Sequence, residues 1–170
     1  MDPMTPMTHE KLLMVGVICG NISDMKTFTT KIMDQEQKDS LISRITDLLL
    51  SQKPTLFAYL YGSFLGAGPF RDIDVAAYAD PAAFKSTDEL FSYGLSLAAK
   101  VDLAVSGVTV DLRLLNLAPT PFKFSVITRG KVIFTKDEQK RIDFEARTRN
   151  LYFDFLPHLK LHHRSLLLGE

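Results

Sequence analysis

The sequence predicts an α+β domain in which helices flank a mixed β-sheet, with a long C-terminal helix. Helix-period and strand-length apolar segments alternate through residues 35–157, and glycine or proline punctuates them. Residues 35–51 place Leu41, Ile42, Ile45, Leu48 and Leu49 at i, i+3 and i+4 spacings with charges between them. That pattern is an amphipathic helix, which Pro54 ends. Thr55–Tyr61 (TLFAYLY) is an apolar and aromatic run of strand length closed by Gly62. A glycine-rich loop, Gly62–Phe70, leads into a second strand, Asp72–Tyr78, and Asp80-Pro81 marks a turn. Residues 86–101 form a helix with Ser86 or Thr87 as N-cap and Asp88 and Glu89 in its first turn, where the helix dipole favours them. Gly107 precedes a third strand, Val108–Leu115. A short helix follows Pro119 and Pro121, and Arg129-Gly130 turns the chain into a small strand, Lys131–Phe134. The last helix covers residues 137–156, opens with Asp137 and Glu138, and is expected to end near Pro157.

At 170 residues and 19.1 kDa the chain suits one domain, long enough to hold a core without disulfides or a structural metal. Its single cysteine, Cys19, excludes an internally disulfide-stapled scaffold, and no Cys/His cluster suggests zinc. Twenty basic residues balance twenty acidic ones, so no global field draws the chain to DNA, RNA or anionic lipid. No stretch has the apolar length of a transmembrane helix. Leu12–Cys19 has the length of a signal-peptide core, but Asp2 and Glu10 replace the basic flank and no cleavage pattern follows, so a cytoplasmic location is expected. All six methionines lie in the first 33 residues, and Pro3, Pro6, Gly16 and Gly20 break any helical period there. Residues 1–32 are therefore read as an N-terminal arm, either disordered or an extra element over Leu12–Ile18. Residues 33–157 are read as the compact domain and 158–170 as a tail.

The chemistry is concentrated in YGSFLGAGPFRDIDVAAY, residues 61–78. Side chains alternate along a strand, so Asp72 and Asp74 share one face while Ile73 and Val75 take the other. The apolar pair would pack on helices and leave the carboxylates on an open face. Two carboxylates about 7 Å apart repel each other unless a cation or hydrogen-bond donors lie between them. A hard divalent cation such as Mg²⁺ suits them, because it takes carboxylate oxygens together with substrate phosphate. In VTVDLRLL, residues 108–115, the same alternation turns Val108, Val110, Leu112 and Leu114 inward and puts Thr109, Asp111 and Arg113 opposite. An aspartate amid β-branched and apolar residues is locally costly, which points to a compensating role. If the two strands are neighbours, three carboxylates converge in a set suited to two metal ions. Gly62 and Ser63 could then cradle phosphate oxygens, while Arg113 could contact the nucleotide or screen the acidic cluster.

Gly62-Ser63, Asp72-Ile73-Asp74 and the later lone Asp111 resemble the nucleotidyltransferase superfamily that includes DNA polymerase beta. The pattern is most similar to the minimal nucleotidyltransferases (MNT), in the antitoxin branch that pairs with HEPN toxins. Residues 108–134 look like the family's third catalytic strand, short helix and following hairpin, and RIDFEARTRNLYFDFLPHL resembles the branch's C-terminal helix. The resemblance spans residues 35–157 and implies the nucleotidyltransferase fold and a specific chemistry. Asp72, Asp74 and Asp111 would be the catalytic carboxylates and the ligands of two Mg²⁺ ions. Asp111 would also activate the incoming hydroxyl, and Gly62 and Ser63 would hold the triphosphate of ATP. The expected product is AMP transferred to a tyrosine of a HEPN toxin. One departure stands out. The spacer Phe64–Arg71 has eight residues, fewer than this branch usually carries, with Leu65-Gly66 in place of Arg-Gly; Arg71 could substitute for that arginine in nucleotide binding. The shortened loop supports an alternative, a non-catalytic binding antitoxin with a vestigial nucleotide site. A small-molecule nucleotidyltransferase is a further alternative.

Other conspicuous residues have plainer readings. An isolated Asp-x-Asp is most often a solvated edge, and only its company here argues otherwise. Tyr59 and Tyr61 share a strand face with Phe57 and read as packing residues, although Tyr61 adjoins Gly62 and could approach a nucleotide. His158 and His162 have i, i+4 spacing without an acidic partner, a weak metal signal. Cys19 reads as a small hydrophobe. Tyr152, Phe153, Phe155 and Leu156 on the last helix suit either the core or a helix-on-helix interface with a partner or a second copy.

Overall fold

The computed structural model of the chain describes residues 30–168. The expected arm over 1–32, including Leu12–Ile18 and Cys19, lies almost wholly outside the described residues, as do the side chains of His158, His162 and His163. Helix α1 (Gln35–Ser51) starts at a reciprocal cap. The Asp34 carboxylate accepts from the Gln37 amide at 2.8 Å, and the Gln37 side chain accepts from the Asp34 amide at 3.2 Å. Strand β1 (Thr55–Tyr61) follows, then a one-turn 3₁₀ helix over Ser63–Leu65, and strand β2 (Asp72–Ala79). Helix α2 (Thr87–Ala104), capped by Ser86 on the Glu89 amide, crosses over to β3 (Thr109–Leu114). Helix α3 (Thr120–Arg129), β4 (Lys131–Thr135) and α4 (Glu138–Leu168) complete the order.

The strands form one mixed sheet in the order β3-β2-β1-β4. β1 is antiparallel to β2 and to β4, whereas β2 and β3 are parallel, as a helical crossover allows. The sheet separates two apolar layers. On one face Ala58, Leu60, Ile73, Val75, Ala77, Val110, Leu112 and Leu114 meet Ile45 and Leu49 of α1 and Leu97 and Val101 of α2. On the other, Phe57, Tyr59 and Ala76 meet Val126 and Ile127 of α3, with Tyr78 and Phe144 of α4 packed alongside. Phe57 stacks on Tyr78 with centroids 4.7 Å apart, and Phe144 tilts against both. Burying one such large side chain contributes about 1.5–3 kcal/mol relative to exposure.

Two expectations change. The α3/α4 face is not open along its length: Ala76 and Tyr78, which follow Asp72 and Asp74 on the same side of β2, are covered by α3 and α4. Only the first half of that strand face is left for chemistry. In addition, α4 does not end near Pro157 but runs through it to Leu168, so most of the expected tail is helical. A proline inside a helix removes the bond to the carbonyl four residues earlier and strains one turn, yet the turns on either side retain their own ladder. Among the described residues, no helix is long and apolar enough to cross a membrane.

Candidate active site

The parallel pairing of β2 and β3 places Asp72 beside Thr109 and Asp74 beside Asp111. Paired strands lie about 4.8 Å apart, so Asp74 and Asp111 project as neighbours from one face. On the other side of β2, Tyr61 pairs with Asp74, and the chain turns immediately after it at Gly62. Gly62 has φ +79°, a conformation glycine adopts readily and other residues rarely do. A β-carbon built on it would lie 2.0 Å from Asp74 Oδ2, so the turn backbone rests directly on the carboxylate. Ser63 opens the 3₁₀ turn and is exposed, and Arg71 stands immediately before β2. Gly62, Ser63, Asp72, Asp74, Asp111 and Arg113 are thus gathered at one corner of the sheet, and Arg71 is near enough to act on the charge of Asp74.

The electrostatics of this corner are repulsive. Burial pushes the Asp74 carboxyl above the usual carboxylate range, and the charges of Asp72 and Asp111 push it further, with Arg113 and Arg71 acting in opposition. Burial, followed by the charge of Asp74, pushes the Tyr61 hydroxyl up to about 12, so it stays protonated at neutral pH. Arg113 donates to Asp111 Oδ2 from Nε at 3.2 Å and from Nη2 at 3.0 Å. Its guanidinium also lies 5.6 Å from the centroid of Phe122, whose ring meets Tyr61 edge-on.

Among the described residues, no three acidic, imidazole or thiol side chains are already drawn around a common point. Asp111 instead faces Arg113. The donor set nevertheless fits a hard divalent cation. It offers only carboxylate oxygens on neighbouring strand positions, and their mutual repulsion adds to the burial that raises the Asp74 carboxyl.

One contributor escapes a reading of the sequence alone. Lys38 of α1 is 7% exposed and reaches beneath the Gly62–Phe70 loop. Its ammonium donates to the carbonyls of Phe64 at 3.0 Å and Gly66 at 2.5 Å. It also lies 5.2 and 5.5 Å from the ring centroids of Phe64 and Phe70, which pack edge to face. Antiparallel bonds between Lys31 and Phe70 close the far end of the loop. Lys38 is a positioning residue: it fixes the short loop whose first turn rests on Asp74.

The four-stranded mixed sheet carries paired carboxylates on β2, a third on β3 and a glycine-serine turn after β1, the arrangement expected from the resemblance to nucleotidyltransferases. Residues 43–139 match the family model described as polymerase beta, nucleotidyltransferase, and the chain belongs to that family. No curated protein matches it. Among solved structures, the fold is similar to a chain from the tri-AMPylated Shewanella oneidensis HEPN toxin in complex with MNT antitoxin, with a TM-score of 0.52 and 24% identity over 78% of this chain and 97% of that one. It is also similar to a chain from a toxin–antitoxin structure with AMP-PNP, with a TM-score of 0.52 and 25% identity over 75% of this chain and 96% of that one. A Shewanella oneidensis protein gives a TM-score of 0.52 at 24% identity over 80% and 98%. The α+β architecture of this chain, a mixed sheet with flanking helices, is the fold it shares with these structures.

Proposed function

We propose that this chain is an Mg²⁺-dependent adenylyltransferase that moves AMP from ATP to a hydroxyl, that of a tyrosine on a HEPN-type toxin, and so acts as an antitoxin. The observation that carries this reading is the in-register pair Asp74–Asp111 with Asp72 beside it and the Gly62 backbone against the Asp74 carboxylate. Support also comes from the neighbours, which include an AMPylated HEPN toxin with its MNT antitoxin and a toxin–antitoxin structure with AMP-PNP.

Asp72, Asp74 and Asp111 would hold two Mg²⁺ ions, which would supply charge to neutralise the triphosphate and polarise the acceptor hydroxyl. Gly62 and Ser63 receive phosphate oxygens through backbone amides and the serine hydroxyl. Arg71 and Arg113 add positive charge for the nucleotide, which requires Arg113 to give up some of its hold on Asp111. Asp111 takes the proton of the acceptor hydroxyl as that oxygen bonds to the α-phosphorus. The bond to pyrophosphate breaks in line. Tyr61, protonated beside Asp74, is placed to hydrogen-bond rather than to act as a base. Such a reaction belongs in the cytoplasm, and the exposed Ile142, Leu151 and Phe153 of α4 offer a surface for a partner or a second copy.

The test is transfer of label from α-labelled ATP to a co-purified HEPN-domain protein, with mass spectrometry locating the added AMP. Asp72→Asn and Asp74→Asn should each abolish transfer, and undiminished labelling by both would overturn the assignment. The Asp111–Arg113 pair favours a second reading, a non-catalytic antitoxin that silences its partner by contact. In that case the same variants would still neutralise the toxin.

A further inference from the structure

Sheet order sets the carboxylates between two different surroundings. On the β1 side lie Gly62 and Ser63; on the other side is β3, an edge strand. At this edge an apolar cavity of about 340 Å³ opens between α2, β3 and the start of α3. Phe91 and Leu95 of α2, Leu112 and Leu114 of β3, and Leu117 and Phe122 beyond it form most of its wall. Arg113 is the one charged residue among those described that line it, and it links the cavity to the site by bonding to Asp111 while lying over Phe122. Phe91 and Leu95 are 55% and 59% exposed, an arrangement that leaves large apolar side chains in water at the mouth.

We propose that this cavity receives an apolar side chain of the polypeptide acceptor, so that the acceptor hydroxyl reaches Asp111 from the β3 edge while the triphosphate lies on the β1 side. The inference rests on the adenylyltransferase reading and adds to it the kind of acceptor the site takes. A nucleobase is the poorer occupant, because its edges carry donors and acceptors and, apart from Arg113, every side chain of the wall is apolar. A leucine or aromatic side chain loses nothing by entering and brings its neighbouring residues to the carboxylates. The cavity thus orients the acceptor at the carboxylates.

The experiment uses the full chain, a purified HEPN-domain partner, α-labelled ATP and Mg²⁺. Phe91→Asp and Leu95→Asp change exposed side chains, so the fold should survive, as a melting curve checks. Each should lower kcat/KM for labelling the partner about tenfold, through KM, the loss expected of one apolar anchor. AMP-PNP binding measured by calorimetry should not change. Leu103→Asp, on the same helix, 85% exposed and outside the cavity wall, should label as wild type does. Equal labelling by the cavity variants, weakened AMP-PNP binding, or an equal loss in Leu103→Asp would overturn the proposal. If the wild type transfers no label, the adenylyltransferase reading fails instead. Partner affinity measured without nucleotide then decides the cavity separately: weaker binding by Leu95→Asp retains it as the docking site, and unchanged binding removes it.

Discussion

Two of the carboxylates on the α3/α4 side of the sheet, Glu145 and Asp74, differ in their surroundings. Glu145 of α4 has a side chain only 14% exposed and is fully answered. It accepts the Tyr59 hydroxyl at 2.7 Å, Arg149 at 2.9 Å and a charged bond from Arg141, which Glu138 also holds. Asp74, on the same face of the sheet, feels the charges of two further carboxylates, opposed by Arg113, which is engaged with Asp111, and by Arg71. At Glu145 charge ties a helix to a strand. At Asp74 charge is left in excess, and that excess is what a cation and a nucleotide can relieve. A burial cost that neighbouring carboxylates add to marks the functional corner more sharply than burial alone.

Asp74→Asn gives the largest expected effect and separates the two places most directly. Transfer should fall by about a thousandfold or more, as removal of a charge-stabilising group at a reacting centre does. Stability should rise. The raised carboxyl means that the folded chain holds its proton more tightly than the unfolded chain. Ionisation therefore withdraws stability as pH climbs from the ordinary carboxylate range through the raised value, and at neutral pH that loss is present in full. Asparagine removes it, so the melting temperature of the variant at neutral pH should exceed that of the wild type by a few degrees. The gain should vanish at a pH below the ordinary carboxylate range. A variant that melts lower at neutral pH would show that Asp74 is a structural group like Glu145.

Glu145→Ala should act in the opposite sense. Removing it takes the acceptor from the Tyr59 hydroxyl, whose ionisation burial already opposes, and leaves Arg141 with Glu138 alone. Breaking such a buried pair costs about 3 kcal/mol, which lowers the melting temperature of a chain this size by roughly 10 °C. Transfer per folded molecule should hardly change, because Glu145 belongs to none of the elements that position Gly62, Asp74 or Asp111. Equal loss of transfer and stability would mean that α4 shapes the site.

The sequence makes some of this architecture legible because strand alternation is local. Ile73 and Val75 on one side, Asp72 and Asp74 on the other, and Asp111 opposite Leu112 all follow from a period of two once the strands are recognised. The α+β class and nearly every element boundary follow from the same short-range periods. What escapes a sequence reading is long-range or permissive. Nothing near Lys38 in the chain distinguishes it from the solvated lysines of an amphipathic helix, since its partners lie 26 and 28 residues away. The cavity at the β3 edge joins α2 to the start of α3 across the sheet, and no period records that. Pro157 reads as a stop because the local rule is strong, yet the helix tolerates one broken rung.

Lys38 joins the two kinds of charge, for it is fully satisfied, as Glu145 is, yet serves the loop that leans on Asp74. Lys38→Met retains the aliphatic stem and removes only the donor. The buried Phe64 carbonyl and the half-buried Gly66 carbonyl then lose a charged partner, so the cost should be about 1–3 kcal/mol. The effect on function should be smaller than for either carboxylate and of a distinct kind. A loosened Gly62–Phe70 turn presents its amides less well to phosphate, so KM for ATP should rise several-fold while kcat falls little. If kcat fell with KM unchanged, the loop would be shaping the reacting centre itself, and Lys38 would act through Gly62 on the Asp74 carboxylate rather than on the phosphate cradle.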